Sequence, residues 1–215
     1  VETLGAATVI CSDKTGTLTE GTVRLHGAVD AEGRESPRVL LLSVLNARFE
    51  SGFPNPIDQA LRGVPCPGLE AYSKVDEVPY DFIRKRLSVV VERPVEASGA
   101  ERHTMITKGA LRNVLEVCVD AERATEGDGR ARTAPIAEVA AELQQRFEAW
   151  SEQGHRVLGV AVRYVTGDPV IDKDDEVGMT FVGFLLFEDP PKAGAREAIA
   201  ELAKLGVELK VITGD

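Results

Sequence analysis

Residues 7–20, ATVICSDKTGTLTE, decide the fold. Ala7 to Cys11 reads as a short buried strand, and Ser12 to Glu20 as a polar loop at its carboxyl end. At the far end of the chain, Pro190-Pro191 opens a predicted helix reaching about Leu205. Ala195, Ile199 and Leu202 share one face of it, and Gly206 is the stop. A second buried strand, Glu208 to Thr213, follows. Strand, helix and strand of this kind build a doubly wound α/β sheet, whose ligands sit at the carboxyl ends of the strands. Asp13 and Asp215 both fall at such ends.

Between these flanks lies an insertion, placed at residues 25–185, so that 1–24 and 186–215 form the two parts of an interrupted first domain. Arg38 to Arg48 reads as a helix, and Leu87 to Glu92 and His103 to Thr107 as paired strands. Ile136, Val139, Ala140, Leu143, Phe147 and Trp150 follow helical spacing, with Pro135 near the start and Gly154 as stop. Arg156 to Arg163 and Met179 to Phe187 read as further strands. The mixture predicts an α+β insert with its own core. The charged stretch Asp120 to Thr133 reads as a mobile surface loop.

The 215 residues are 43% hydrophobic and 28% charged, an ordinary globular composition. A net charge of −10 argues against nucleic acid as a partner, because phosphate backbones attract basic surfaces. Cys11, Cys66 and Cys118 form no CxxC pair, so neither a disulfide framework nor a zinc site is expected. His26, His103 and His155 are scattered along the chain and form no visible metal-ligand cluster. No run approaches the ~18 apolar residues of a membrane helix, and Val1 to Gly5, without a charged region ahead of an apolar one, lead us to expect no signal peptide. The strand-like run ending at Thr213-Gly214-Asp215 leads us to expect that the natural chain continues.

Chemistry concentrates in Asp13-Lys14-Thr15-Gly16-Thr17-Leu18-Thr19. A carboxylate at a strand's end can attack a phosphoryl group, and the amides and hydroxyls of the following loop can hold the phosphoryl oxygens. Other phosphate-binding patterns fail. There is no GxxxxGK[ST] loop, Gly127-Asp128-Gly129 lacks the third glycine of a dinucleotide fingerprint, and no GxSxG elbow appears.

DKTGTLT resembles the phosphorylation signature of the P-type ATPases. The resemblance implies Asp13 as the phosphorylated nucleophile, with Lys14, Thr15 and Thr17 around the transferred group. Aspartyl phosphate is the established intermediate of such ATPases, not a deduction from these residues. Mg²⁺, held by Asp13 and Thr15, would neutralise charge between carboxylate and phosphate. Phosphatases of the related haloacid-dehalogenase-like superfamily usually carry a second aspartate where this chain has Thr15. A threonine cannot do general acid–base work near neutral pH, so the phosphoenzyme should persist.

Further resemblances run along the chain. Lys108-Gly109-Ala110 looks like the family's KGA element, where the lysine lines the ATP pocket and the glycine admits the ligand. EVPYDFIRKRLS, Glu77 to Ser88, resembles the segment with the adenine-stacking aromatic and a phosphate-facing lysine, here Tyr80 and Lys85. Phe82 is the rival stacker. Arg84 and Arg86 are either part of that site or a solvated strand face. Asp58 resembles the acceptor of the adenine amino group, or is a helix-start aspartate. Arg156 resembles the arginine that reaches the phosphates. Asp189, in DPPK, resembles the hinge and doubles as an N-cap candidate. Thr213-Gly214-Asp215 resembles the TGD element beside the phosphorylated aspartate.

The implied fold is a partial doubly wound, haloacid-dehalogenase-like phosphorylation domain interrupted by an α+β nucleotide-binding insert. Leu45-Asn46, Asn55 to Asp58, EVPYDFIRKRLSVVV, ITKGALRNVLEVC and FEDPPK look like the bacterial magnesium-translocating branch. That branch implies ATP as substrate, Mg²⁺ as cofactor and transported cation, and actuator and membrane domains as partners. It also implies an inner-membrane protein with this segment facing the cytoplasm. Three readings stand: a catalytic part of such a pump, a nucleotide-binding module without turnover when isolated, and a haloacid-dehalogenase-like phosphatase. Thr15 and the KGA-bearing insert disfavour the third.

Overall fold

The computed structural model describes residues 8–52, 54–93, 102–123, 132–166 and 168–212. The chain divides into two compact units, Val1–Arg24 with Glu188–Asp215, and Leu25–Phe187.

In the first unit, β1 (Val9–Asp13) pairs in parallel with β10 (Glu208–Ile212), placing Asp13 opposite Ile212. The predicted helix is shorter than its prolines suggest, α5 being Ala195–Lys204. The reason is local: Pro191 bridges Thr19 and the Pro190 carbonyl accepts from Glu20 N–H at 2.8 Å, so neither proline is free to begin a helix. Gly194 is the N-cap residue, which removes Asp189 from that role. The helix ends at Lys204, and Gly206, the expected stop, follows the Leu205 cap at φ 74°, with Val207 N–H returning to the Leu202 carbonyl at 2.9 Å.

The second unit is built on one large sheet. Its strands are β2 (Arg24–Asp30), β3 (Ser73–Val78), β4 (Arg86–Glu92), β5 (His103–Ala110), β6 (Cys118–Arg123), β7 (Arg132–Pro135), β8 (Arg156–Val165) and β9 (Met179–Glu188). The order is β3-β4-β5-β8-β9-β6-β7, with β2 also paired to β9. The ladder is antiparallel from β3 to β9, and β6 joins β9 in parallel. The helices are α1 (Pro37–Phe49), α2 (Pro56–Arg62), α3 (Leu111–Leu115) and α4 (Ile136–Glu152). The expected mobile loop over 120–133 is corrected at both ends. Asp120 to Arg123 pairs antiparallel with Arg132 to Pro135, and the residues between lie outside those described.

Both faces of the central strands are covered, which is why LSVVV in β4 is apolar almost without alternation. Val89 pairs with Ile106, and on that face the Asn46 side-chain amide of α1 donates to the Ile106 carbonyl at 2.8 Å. Val90 and Met105 point the other way, into a core shared with Leu111, Val114, Val139, Leu143, Phe181 and Phe184. His26 and His155, scattered in sequence, lie ring to ring at 4.3 Å.

Candidate nucleotide and phosphoryl-acceptor sites

In the first unit, Asp13 is exposed at the carboxyl end of β1. The chain then turns through residues 14–18, with Thr15 extended and Gly16 left-handed at φ 78°, a conformation that costs a glycine nothing. Thr15 and Thr17 are exposed on this turn, and Lys14 is half-buried. Thr19 closes it. Its hydroxyl accepts from Gly16 N–H at 3.1 Å and donates to Asp189 Oδ2 at 2.6 Å. Asp189 Oδ1 accepts from Gly21 N–H at 3.1 Å, and Lys192 Nζ donates to the Gly16 carbonyl at 2.6 Å. DPPK is thus a clasp on the turn that follows Asp13. Both Asp189 oxygens are engaged there; Thr19 and Lys192 lie inside the DKTGTLT and DPPK motifs, but no role of theirs was legible in the sequence. Thr213, Gly214 and Asp215 lie outside the described residues.

In the second unit, the strand register brings most of the other candidates to one end of the sheet. Arg86, the first residue of β4, pairs with Gly109 near the end of β5, and Ala110 pairs with Leu158 two residues into β8 from Arg156. Arg156 is exposed at that end.

Lys108 and Asp58 meet directly. Lys108 Nζ donates to Asp58 Oδ1 with side chains 3% and 2% exposed. Burial pushes the Lys108 ammonium below the ordinary lysine range, and Asp58 pulls against that shift. Asn55, not Asp58, caps α2: its side-chain oxygen accepts from Asp58 N–H at 2.9 Å, and its amide donates to Asp58 Oδ2. Asp58 is therefore locked in place by Asn55, a residue quoted in the sequence only for its resemblance and not as a cap. Glu50 and Arg62, paired at 2.7 Å, add one charge of each sign to the field around Lys108.

Gly109 has a different reason from the one expected. A Cβ there would stand 2.4 Å from the Lys85 carbonyl and 2.5 Å from Arg86 Cβ. The close approach is by the chain's own backbone, sealed by Ala110 N–H donating to the Lys85 carbonyl at 2.9 Å.

Residues 79–86 form an arm leading into β4. Tyr80 and Phe82 meet edge to face, with ring centroids 5.5 Å apart. Tyr80 is 47% and Phe82 87% exposed, and both rings offer area to a planar ligand. Asp81 supports the tip, accepting from Ile83 N–H at 2.6 Å and Arg84 N–H at 2.8 Å. Those contacts, the Arg84 amide foremost, hold its carboxyl below the usual range against some desolvation. Lys85 is exposed at φ 50°, a left-handed conformation that costs a non-glycine residue roughly 1–2 kcal/mol.

Arg84 and Arg86 are not a solvated face. Arg86 is 9% exposed, its Nε donates to Glu176 Oε2 at 2.8 Å, and its Nη1 donates to the Asn113 carbonyl at 3.0 Å. Arg84 reaches Glu176 with Nη1 and the Pro79 carbonyl with Nη2, the latter at 2.7 Å. Glu176 carried no sequence signal. It ends an acidic run in which Asp172 and Asp175 cap the turn Lys173–Asp175, and nothing in that run's composition marks one carboxylate as buried.

Residues 68–194 match the family model for P-type ATPase, cytoplasmic domain N. Over its whole length the chain is 39% identical to magnesium-transporting ATPase, P-type 1 of Salmonella typhimurium. It is 33% identical to the protein of that name in Escherichia coli K12. It is also 29% identical to plasma membrane ATPase 1 of Candida albicans. It spans 24%, 24% and 22% of those proteins. No helix among the described residues is long and apolar enough to cross a membrane. With the family model covering more than half of its residues, the chain belongs to the P-type ATPases.

Proposed function

We propose that this chain is the ATP-binding and phosphate-accepting part of a cation-transporting P-type ATPase, with Mg²⁺ as the transported ion. The observation that carries the reading is one end of one sheet, where a buried Lys108–Asp58 pair, the exposed Tyr80–Phe82 tip, Lys85 and Arg156 are brought together. In this reading the insert takes the adenine on Tyr80, with Asp58 accepting from its amino group. Lys108 lines the pocket beside Asp58, and Lys85 and Arg156 supply positive charge for the phosphates. The Asp13 carboxylate attacks the γ-phosphorus, the bond to the β,γ-bridging oxygen breaks, and ADP leaves with that oxygen's charge.

Exposed oxygen donors at Asp13 and Thr15 suit a hard cation. Mg²⁺ bound there supplies charge neutralisation during attack. In this reading the turn closed by Thr19 and Asp189, which follows Asp13 directly, supplies backbone amides to the phosphoryl oxygens. Transport, an inner-membrane location with this segment in the cytoplasm, and coupling to actuator and membrane domains belong to the whole protein. For the isolated chain we propose ATP binding without turnover.

Two measurements test the reading. The whole protein is expected to form an acid-stable, alkali-labile phosphoenzyme that disappears in Asp13→Asn, which keeps the shape but not the anionic nucleophile. Labelling of the Asn variant at the same site would sink the assignment. In calorimetry on the chain, Tyr80→Ala is expected to lose roughly 1–3 kcal/mol of ATP binding. A loss in Phe82→Ala with Tyr80→Ala unchanged would move the stacking role to Phe82.

A further inference from the structure

Glu176 has a side chain 0% exposed, and burying a carboxylate is unfavourable unless its charge is met. Here two residues of the arm and one further along β4 meet it. Oε2 accepts from Arg84 and Arg86, and Oε1 accepts from Ser88 Oγ at 2.6 Å. Ser88 Oγ in turn stands 2.7 Å from Thr107 Oγ1 across the β4–β5 ladder. The contacts fall on every second residue, 84, 86 and 88. Strand alternation therefore puts Leu87, and its cross-strand partner Lys108, on the other face.

The consequence falls on Lys85. Both its neighbours are drawn to one carboxylate, and between them Lys85 takes its left-handed φ of 50° with its side chain in solvent. Glu176 and Asp81 together offset the two guanidiniums. Of the basic run 84–86, Lys85 alone has no ion pair among the described residues. A strained non-glycine conformation beside an exposed aromatic tip persists only when the surroundings enforce it.

We propose that Glu176 is a positioning residue for nucleotide binding. It touches no ligand. It clamps Arg84 and Arg86 from behind the sheet, and so fixes the arm that presents Tyr80 and Lys85. The proposal rests on the nucleotide reading of that arm.

The test uses the 215-residue chain, with ATP affinity by calorimetry and limited trypsin digestion, both well below the melting transition. Glu176→Gln keeps the size but removes the charge and turns an NH₂ towards the arginines. It is expected to weaken ATP binding ~10-fold or more and to speed cleavage after residues 84, 85 and 86. Val139→Ala, a destabilising change in α4, is the control. It is expected to keep wild-type affinity and the wild-type digestion pattern.

Should Glu176→Gln not fold, Arg84→Met is read in its place. It leaves the Glu176–Arg86 pair intact and is expected to weaken ATP binding and to speed cleavage after residues 85 and 86, the site after residue 84 being removed by the substitution. Unchanged affinity in a folded Glu176→Gln chain overturns the proposal. So does an equal loss in Val139→Ala, which would make the clamp merely a contributor to stability. A wild-type chain that binds no ATP overturns the nucleotide reading itself, a distinguishable result.

Discussion

Asp58→Asn is the sharpest perturbation of this molecule, because it removes the charge from one member of an ion pair whose side chains are 2% and 3% exposed. Asparagine keeps the shape and leaves the Lys108 ammonium buried without a counter-charge. Losing one partner of such a pair typically costs about 3–5 kcal/mol. An independent ceiling comes from the lysine's own escape, which is to release its proton. That costs about 1.4 kcal/mol for each pH unit below the ordinary lysine value of 10.5, so about 5 kcal/mol at pH 7 and about 2 at pH 9.

The sign follows from proton counting. The unfolded chain keeps the lysine proton up to its ordinary range while the folded variant has lost it. The variant therefore gains stability as pH rises through that window. Urea unfolding followed by Trp150, the single tryptophan and a residue of the second unit, gives the measurement at both pH values. The expected result is a loss of about 3–5 kcal/mol at pH 7 that shrinks to about 2 at pH 9. Adding Lys108→Met is expected to recover most of it, since an apolar side chain of similar volume suits a buried position. A loss below about 1 kcal/mol at pH 7 without pH dependence would refute a charged, buried pair.

Three further outcomes are expected. Lys85→Gly relieves the left-handed strain and should stabilise the chain by up to about 1 kcal/mol in urea while weakening ATP binding, opposite signs that a structural lysine would not give. Gly109→Ala forces a Cβ to within 2.4 Å of the Lys85 carbonyl, and should cost about 1–3 kcal/mol of stability and lower ATP affinity through the displaced arm. Cys118, whose thiol burial pushes up to about 12 against a weaker pull from Arg86, should resist alkylation at pH 8 while exposed Cys11 reacts. The stability that this buried neutral thiol contributes is fully present below pH ~9 and is lost as pH rises towards 12.

What was legible in the sequence was whatever a local pattern enforces. The helical spacing from Ile136 to Trp150 became α4, the apolar runs became β4, β8 and β9, and Arg38 to Arg48 fell within α1. What was not legible depends on partners far along the chain. Pro190-Pro191 looks like a helix start until Thr19 and Glu20 take up its backbone. Asp120 to Arg123 looks like loop because its charges answer to other elements, Glu122 to Arg38 and Arg123 to Glu32 and Glu142. Arg84 and Arg86 could not be told from a solvated strand face because their carboxylate lies 92 and 90 residues away.

The β4–β5 register ties these observations together. Leu87 opposite Lys108 and Ser88 opposite Thr107 put the ion pair with Asp58 on one face of the sheet and the Glu176 clamp on the other. A slip of one residue would exchange the faces, sending an ammonium into the core of Val90 and Met105 and a threonine towards Asp58. Hydrophobic patterning cannot forbid that slip, because β4 is apolar on both sides and Val89 and Val90 are equally buried. Polar residues must fix it. Ser88 finds a hydroxyl partner at Thr107, where a one-residue slip would offer it Ile106 or Lys108, and Gly109 is the position beneath Lys85 and Arg86 where a Cβ has no room. Lys108 is flanked on either side by one of these two residues. The TKG triplet can therefore be read as a register lock with the lysine at its centre, which holds the ammonium to the face where Asp58 waits.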